Sequence, residues 1–344
     1  MSNITTIGLD LAKNVFQVHG TDERGRGVLR KRLPRSRVLA FFANLEVCVV
    51  GMEACGSAHY WAREISALGH EVRLMPPQYV KPYVKRGKTD AADAEAIAEA
   101  VCHPNMRFVA IKSAEQQAVL LLHRSRELLV RQRTMLINAF RGHLAEFGIV
   151  ARQGPHHVRE LAAVVGDIED DRLPAIAREV LVTLLDQLRD TADKIDALEN
   201  RLRVWHKTNA ASQRLTTIPG VGLITATALI ATAGSADSFR SGRQFAAWLG
   251  LTPREYSTGG KPRALGISKR GDGYLRRLLI HGARTVVRHR KTRAESHPKP
   301  WLDDLLKRRP KNVATVALAN KNARTVWALL ARGENYQENH MPVH

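Results

Sequence analysis

Leu181, Leu184, Leu188, Thr191, Ile195, Leu198, Leu202 and Trp205 follow one another at intervals of three and four in strict alternation. A repeat of about 3.5 residues lays an unbroken seam down one side of an α-helix. Such a seam must be covered, either by another helix in a coiled coil or by the core of an ordinary bundle. Arg189, Lys194, Asp196 and Arg201 fill outward positions, which favours the coiled coil. The middle of this 344-residue chain is therefore committed to long helix, and any fold must be built around it.

The first third has a different pattern. Ile4 to Leu9, Asn14 to His19, Val28 to Arg32, Val47 to Met52 and Glu71 to Met75 are short runs rich in strand formers. Helical stretches are expected at Val38 to Asn44, at Ala58 to Leu68 and from the N-cap Thr89 onward. The order β-β-β-α-β-α-β-α is that of a mixed α/β sheet. From Ser113 to Phe147 the chain reads as a long basic helix stopped by Gly148, and the polar stretch Lys207 to Ser212 reads as a linker. The fold class is thus α/β plus α. The expected domains are 1–155 (sheet and basic helix), 156–206 (coiled-coil segment) and 207–344 (mostly helical).

Charge narrows the partners. Fifty-three Lys and Arg face 33 acids, a surplus of 20. Residues 261–332 hold 19 Lys and Arg against four acids, so most of that surplus sits in about a fifth of the chain. A charge spread for solubility does not cluster in this way, and leucines at helical spacing mark the segment as folded helix with a basic face. A polyanion is the favoured partner, nucleic acid ahead of a membrane surface, because each phosphate contact releases condensed counterions. Three cysteines, Cys48, Cys55 and Cys102, form no disulfide framework and no zinc motif. No apolar run is long enough for a membrane span and no secretory leader pattern is visible, so a cytoplasmic protein with no membrane partner is expected.

Four acids stand at positions suited to phosphoryl chemistry. Asp10 and Glu53 each end an apolar strand, while Asp90 and Asp93 are spaced i, i+3 on one helix face. Converging there, they would bind one or two Mg²⁺ ions, which prefer carboxylate oxygens and polarise a phosphate for in-line displacement. Taken one at a time, each acid has a simpler role as a turn residue, a solvated side chain or a complement to a helix N-terminus.

Two glycine-bearing loops complete the constellation. Thr217-Ile-Pro-Gly-Val-Gly-Leu-Ile-Thr-Ala226 lies between helices, and Gly220 and Gly222 allow a tight turn whose amides approach a phosphate, as in a helix-hairpin-helix. Downstream, Tyr256-Ser257-Thr258-Gly259-Gly260 precedes Lys261, Arg263, Lys269 and Arg270. A hydroxyl there could attack a phosphodiester beside stabilising cations, although a loop serine is more commonly structural.

The strings IGLDLAKNVFQVHG, GMEACGSAHYWA, GKTDAADAEAIAEA, TIPGVGLITA, FAAWLGLTPREYSTGGK and LGISKRGDGYLRRLLIHGAR occur in this order from about residue 7 to 290. Together they resemble the DEDD transposases of the one-ten family of bacterial insertion sequences, eleven-eleven subgroup. The resemblance implies a RuvC-like N-terminal domain of RNase H fold, with Asp10, Glu53, Asp90 and Asp93 as a Mg²⁺-binding catalytic tetrad. It implies a C-terminal transposase domain whose serine forms a transient 5′-phosphoserine link to DNA. Much of the family has Ser directly before Gly, whereas Thr258 stands there in this chain; Ser257 is taken as the nucleophile and Thr258 as the alternative. Donor and target DNA, a structured guide RNA that pairs with both, and a homo-oligomer growing from dimer to tetramer through the coiled coil are the implied partners. Gly220, Gly222, Lys261, Arg263, Lys269, Arg270, Arg276 and Arg277 are the expected DNA contacts, with Arg124 and Arg131 on a candidate RNA surface. A RuvC-type junction nuclease and a non-catalytic nucleic-acid scaffold are the alternatives, and the location expected is the bacterial cytoplasm at the nucleoid.

Overall fold

Hydrophobic alternation in the first 34 residues produces an antiparallel meander of β1 (Thr6–Asp10), β2 (Val15–Thr21) and β3 (Gly27–Pro34). The β2–β3 loop is closed by Asp22, whose Oδ1 accepts the backbone N–H groups of Arg24 and Arg26 at 3.0 and 2.9 Å. After the short α1 (Val38–Ala43), β4 (Val49–Glu53) returns parallel to β1. The helix α2 (Ala58–Ala67) then crosses over to β5 (Glu71–Met75), parallel to β4. The sheet order is β3-β2-β1-β4-β5, a mixed sheet in a computed structural model that describes residues 3–85, 89–261, 263–290 and 300–337. Ile7, Leu9, Phe16, Val18, Val50 and Met52 on one face bury themselves with Trp61 and Ile65 of α2. Phe16 and Trp61 meet edge to face, with ring centroids 5.0 Å apart.

The opposite face carries glycine where its neighbours carry bulk. After the one-turn α3 (Pro77–Val80), α4 (Asp90–Val101) lies directly on that face. A Cβ on Gly8 would fall 2.1 Å from the Ala94 carbonyl oxygen, and one on Gly51 would fall 2.9 Å from the Val101 Cβ. Only a strand without side chains at these points and a helix rich in alanine can approach so closely. Gly8 of β1 meets Ala94 and Ala98, and the Thr6 hydroxyl meets the Cys102 sulfur, so α4 runs antiparallel to β1. Its first turn is thereby carried to the end of β1 that bears Asp10.

The chain divides into two compact units, the first ending at Gln117 and the second beginning at Ala118. From Ala118 onward, α5 (Ala114–Ala145) forms an antiparallel pair with α7 (Ala175–Thr208), with α6 (Val158–Gly166) between them in sequence. Val119 shares a core with Leu202, Arg126 is ion-paired with Glu199 at 2.6 Å, and Phe140 and Leu144 share a core with Leu181 and Leu185. Both ends of the α7 seam are therefore covered within the same chain. The expected linker at 207–212 is helical instead. Asn209 ends α7 and caps α8 (Ala210–Thr216), its side chain accepting from the Ser212 N–H at 2.8 Å.

The rest of this unit is built around α9 (Leu223–Ala233), whose Ala226, Ala228, Leu229, Ala231 and Ala233 are all buried. Around it in sequence come α10 (Gly242–Trp248), the hairpin of β6 (Pro253–Glu255) and β7 (Ala264–Ile267), α11 (Gly273–Arg288), α12 (Pro300–Arg308) and α13 (Lys311–Arg332). The turn before α9 rests on α11 so tightly that a Cβ on Gly282 would fall 1.7 Å from the Gly220 carbonyl oxygen. Among the described residues no helix is long and apolar enough to cross a membrane.

Candidate active site

The glycine-seated α4 brings three of the four expected acids together. Ligand oxygens of Asp10, Asp90 and Asp93 all lie within 4.8 Å of one another. Thr89 starts α4 by accepting the Ala92 N–H at 3.3 Å, which places both helix acids in the first turn. Glu53, at the end of the parallel neighbour β4, is outside that set of three. It is nevertheless close enough for its charge to act on Asp10, and Asp93 acts on Glu53.

Burial and mutual repulsion act together on this cluster. Burial, followed by the charges of Asp93, Asp90 and Glu53, raises the Asp10 carboxyl from 3.8 to about 6. Burial first and Asp93 second also push Glu53 upward. No ion pair neutralises Asp10, Asp90 or Asp93 among the described residues. Crowded carboxylates with no basic partner among the described residues form a donor set of hard oxygens, which fits Mg²⁺ in chemistry and in charge. Cys55 feels the same field, its thiol raised by burial and then by Glu53.

The second expected site lies on the β6–β7 hairpin. Ser257 is exposed, its Oγ donates to Glu255 Oε1 at 2.8 Å, and the Arg263 N–H donates to the same Oγ at 3.3 Å. Thr258 pairs instead with Lys261 across the loop. Glu255 is a functional candidate that sequence reading missed. Its signal in the sequence was proximity alone, since Glu255 precedes Ser257 by two residues. A carboxylate already holding the hydroxyl hydrogen is the arrangement of a nucleophile and its base.

The expected nucleic-acid residues fall into two groups. Lys261, Arg263, Lys269 and Arg270 are exposed around the hairpin, and Lys269 holds φ at +56°, a left-handed conformation that places it on a tight turn. Gly222 is open, since a Cβ there would meet nothing within 4 Å, whereas Gly220 is pressed against α11. Arg276, by contrast, is a brace: its Nη1 donates to the carbonyls of Leu249 and Arg270 at 3.0 and 2.8 Å. Arg277 and Arg131 both pair with Glu127. Arg124 stays exposed on α5, while Arg126 and Arg141 of the same helix are engaged by Glu199 and by the carbonyls of Ala151 and Arg152. The basic block between 291 and 299 lies outside the described residues.

Comparison with known proteins sets this geometry in a class. Residues 212–298 match the family described as Transposase IS116/IS110/IS902, and residues 7–149 match the IS110-type DEDD transposase family. The class is therefore the transposases, enzymes that cleave DNA and transfer its strands. A probable family 20 transposase of Pseudomonas aeruginosa is 54% identical over 336 residues, covering 97% of this chain and 99% of that protein. The transposase for insertion sequence element IS1111A of Coxiella burnetii is 43% identical over 337 residues, 98% and 92% of the two chains. More distantly, the pilin gene-inverting protein of Moraxella lacunata is 26% identical over 278 residues, 74% of each. The chain belongs to the IS110 family of insertion-sequence transposases.

Proposed function

We propose that this transposase recombines DNA with two kinds of chemistry: a divalent-metal site on a RuvC-like first unit and a serine nucleophile on the second. The observation that carries the reading is the convergence of Asp10, Asp90 and Asp93 at the end of β1. With Glu53 they would hold Mg²⁺, which supplies Lewis-acid polarisation of a phosphate and neutralises charge developing on its oxygens.

The second unit supplies the rest from its own residues. Glu255 accepts the Ser257 proton as Oγ attacks phosphorus, so an Oγ–P bond forms and the P–O3′ bond breaks. The departing 3′ oxygen takes a proton from water, leaving a 5′-phosphoserine. Strand joining runs the reaction backward: a 3′-hydroxyl attacks the phosphorus and protonated Glu255 returns its hydrogen to Ser257. The Arg263 N–H holds Oγ with a lone pair engaged, and Lys261, Arg263, Lys269 and Arg270 offset phosphate charge around the loop. The open amides at Gly222 form a second phosphate contact. A structured guide RNA is part of this reading on the strength of the family resemblance and the basic surplus. Arg124 offers it an exposed cation.

Self-association is part of the proposal too. The α7 seam is engaged inside the chain, but α5 carries a second stripe with the same spacing: Ala118, Leu121, Ser125, Leu128, Gln132, Met135, Ala139 and Gly142. Leu121, Leu128 and Met135 on it are 64%, 56% and 69% exposed. An identical helix presents the same knobs and the same small gaps, so a second copy is the partner that fits this stripe.

The test is an adduct assay on DNA ends of the element with co-purified RNA and Mg²⁺. Ser257→Ala is expected to bind DNA yet give no protein–DNA adduct. Persistence of the adduct in both Ser257→Ala and Thr258→Ala would overturn the serine. Cleavage without any adduct would favour a junction nuclease, and indifference of every activity to Asp10→Ala would favour a scaffold.

A further inference from the structure

A feature that this chemistry leaves unused is a groove in the helical unit with a cavity volume of about 1250 Å³. One wall is the outward stripe of α13, and the other is formed by β7, Trp301 and the chain just after α13. Leu265, Ile267, Val313 and Val316 give it an apolar lining, and Trp301 is 40% exposed at its edge. Arg309, Arg324 and Arg332 rim it, all exposed and without an ion pair among the described residues, against one lining acid, Glu334. Asn312 and Asn335 add uncharged donors and acceptors. Asn320 is held in place by its donation to the Leu251 carbonyl at 3.1 Å.

This combination has a specific chemical meaning. A site for phosphate alone needs cations and amides but gains nothing from an apolar wall. An apolar peptide gains nothing from three arginines. Duplex DNA presents phosphates outward and hides the faces of its bases. Unpaired nucleotides expose both, a flat apolar base for an aromatic or aliphatic surface and a charged backbone for arginine. Arg324 and Arg332 lie two helical turns apart on one stripe of α13, about 12 Å by the helical rise, so they track a strand and do not clamp a single anion. We infer that this groove binds single-stranded DNA, the form that a duplex substrate exposes wherever its strands are opened. The inference rests on the family's action on DNA and is independent of the serine and metal readings.

The groove begins at the base of the hairpin that bears Ser257, since Pro253 and Ile267 line it. A strand held there is continuous with the exposed loop where the cationic residues cluster. Lys321 lies over the Trp301 ring, 4.6 Å from its centroid, so an aromatic surface and a cation meet at the groove edge.

Full-length protein titrated with a 12-nucleotide single strand carrying 2-aminopurine, and with the corresponding duplex, tests the assignment. Stacking is expected to quench the 2-aminopurine on binding. Trp301→Ala should weaken the single strand about tenfold and leave the duplex within about twofold, from the usual strength of base–aromatic stacking. Arg332→Ala, a change at a wholly surface position, should lower the salt slope for the single strand by about 0.7. Unchanged single-strand affinity in both variants, with unaltered circular dichroism, would overturn the inference. So would equal losses for single strand and duplex. If the variants change the apparent mass of the protein and not its DNA affinity, the groove seats a second copy and the inference fails. A preference for single-stranded RNA that is lost in both variants would likewise overturn the assignment to DNA.

Discussion

Replacing Asp10 by Asn separates the electrostatic cost of the acidic cluster from its use. In the folded chain the Asp10 carboxyl is raised from 3.8 to about 6, first by burial and then by Asp93, Asp90 and Glu53. Each tenfold change in proton affinity is worth about 1.4 kcal/mol, so ionising Asp10 at neutral pH opposes folding by up to ~3 kcal/mol. The site is partly open to solvent, and screening reduces this to about 1–2 kcal/mol. The sign follows from linkage: the folded state binds the proton more tightly than the unfolded chain does. The penalty is thus complete above about pH 6, shrinks as the pH falls, and vanishes below about 3.8. Without metal, Asp10→Asn should therefore be more stable than the natural protein at about pH 7, with the gap reduced to about half near pH 5. Mg²⁺ should raise the melting temperature of the natural protein and leave that of the variant nearly unchanged, because a ligand stabilises only the state that binds it. Thermal melts across that pH range, with Mg²⁺ and with EDTA, read all of these effects. A variant no more stable than its parent at neutral pH, or one stabilised equally by Mg²⁺, would refute the account of the cluster.

Two further substitutions separate packing from recognition where the turn before α9 meets α11. Gly282→Ala places a Cβ against the Gly220 carbonyl and should cost about 3 kcal/mol of stability, measured by urea unfolding; a loss below about 1 kcal/mol would contradict the packing described. Gly222→Ala adds a Cβ to open space, so stability should change by less than about 1 kcal/mol while duplex affinity falls as the phosphate is held off. Leu128→Glu, on the exposed stripe of α5, should lower the apparent mass in light scattering without lowering the melting temperature. Burying one leucine per copy is worth about 1.5–3 kcal/mol, enough to shift a dimer constant by 100-fold or more. An unchanged mass would move the interface elsewhere.

The parts of this molecule that depend on local period were legible in its sequence. Alternation and β-branched runs placed all five strands of the sheet, Thr89 marked the start of α4, and the two long helices stood out by length and spacing. Asp10 and Glu53 could be read as strand-end acids, and Asp90 and Asp93 as neighbours on one helix face, because each statement concerns residues a few positions apart. The family strings, read in order, carried the identification that charge alone did not.

Tertiary structure decided what those elements meet. Nothing local says that Gly8 and Gly51 form the seat that carries α4 to Asp10, since the close approach joins residues more than 40 positions apart. Nor does a 3.5-residue spacing say whether its partner lies in the same chain. The α7 seam is covered from within by α5, whose own second stripe stays exposed. Charge counting could not tell Arg276, a brace between carbonyls, from Lys261, an exposed side chain on the hairpin, because it records a cation and not its neighbours. Sequence determined the elements and the chemistry available to them, because both are set by side chains and by short-range sterics. Which acids converge, which arginines are already engaged and which seam is left open depend on packing between distant segments, and only the folded chain settles them.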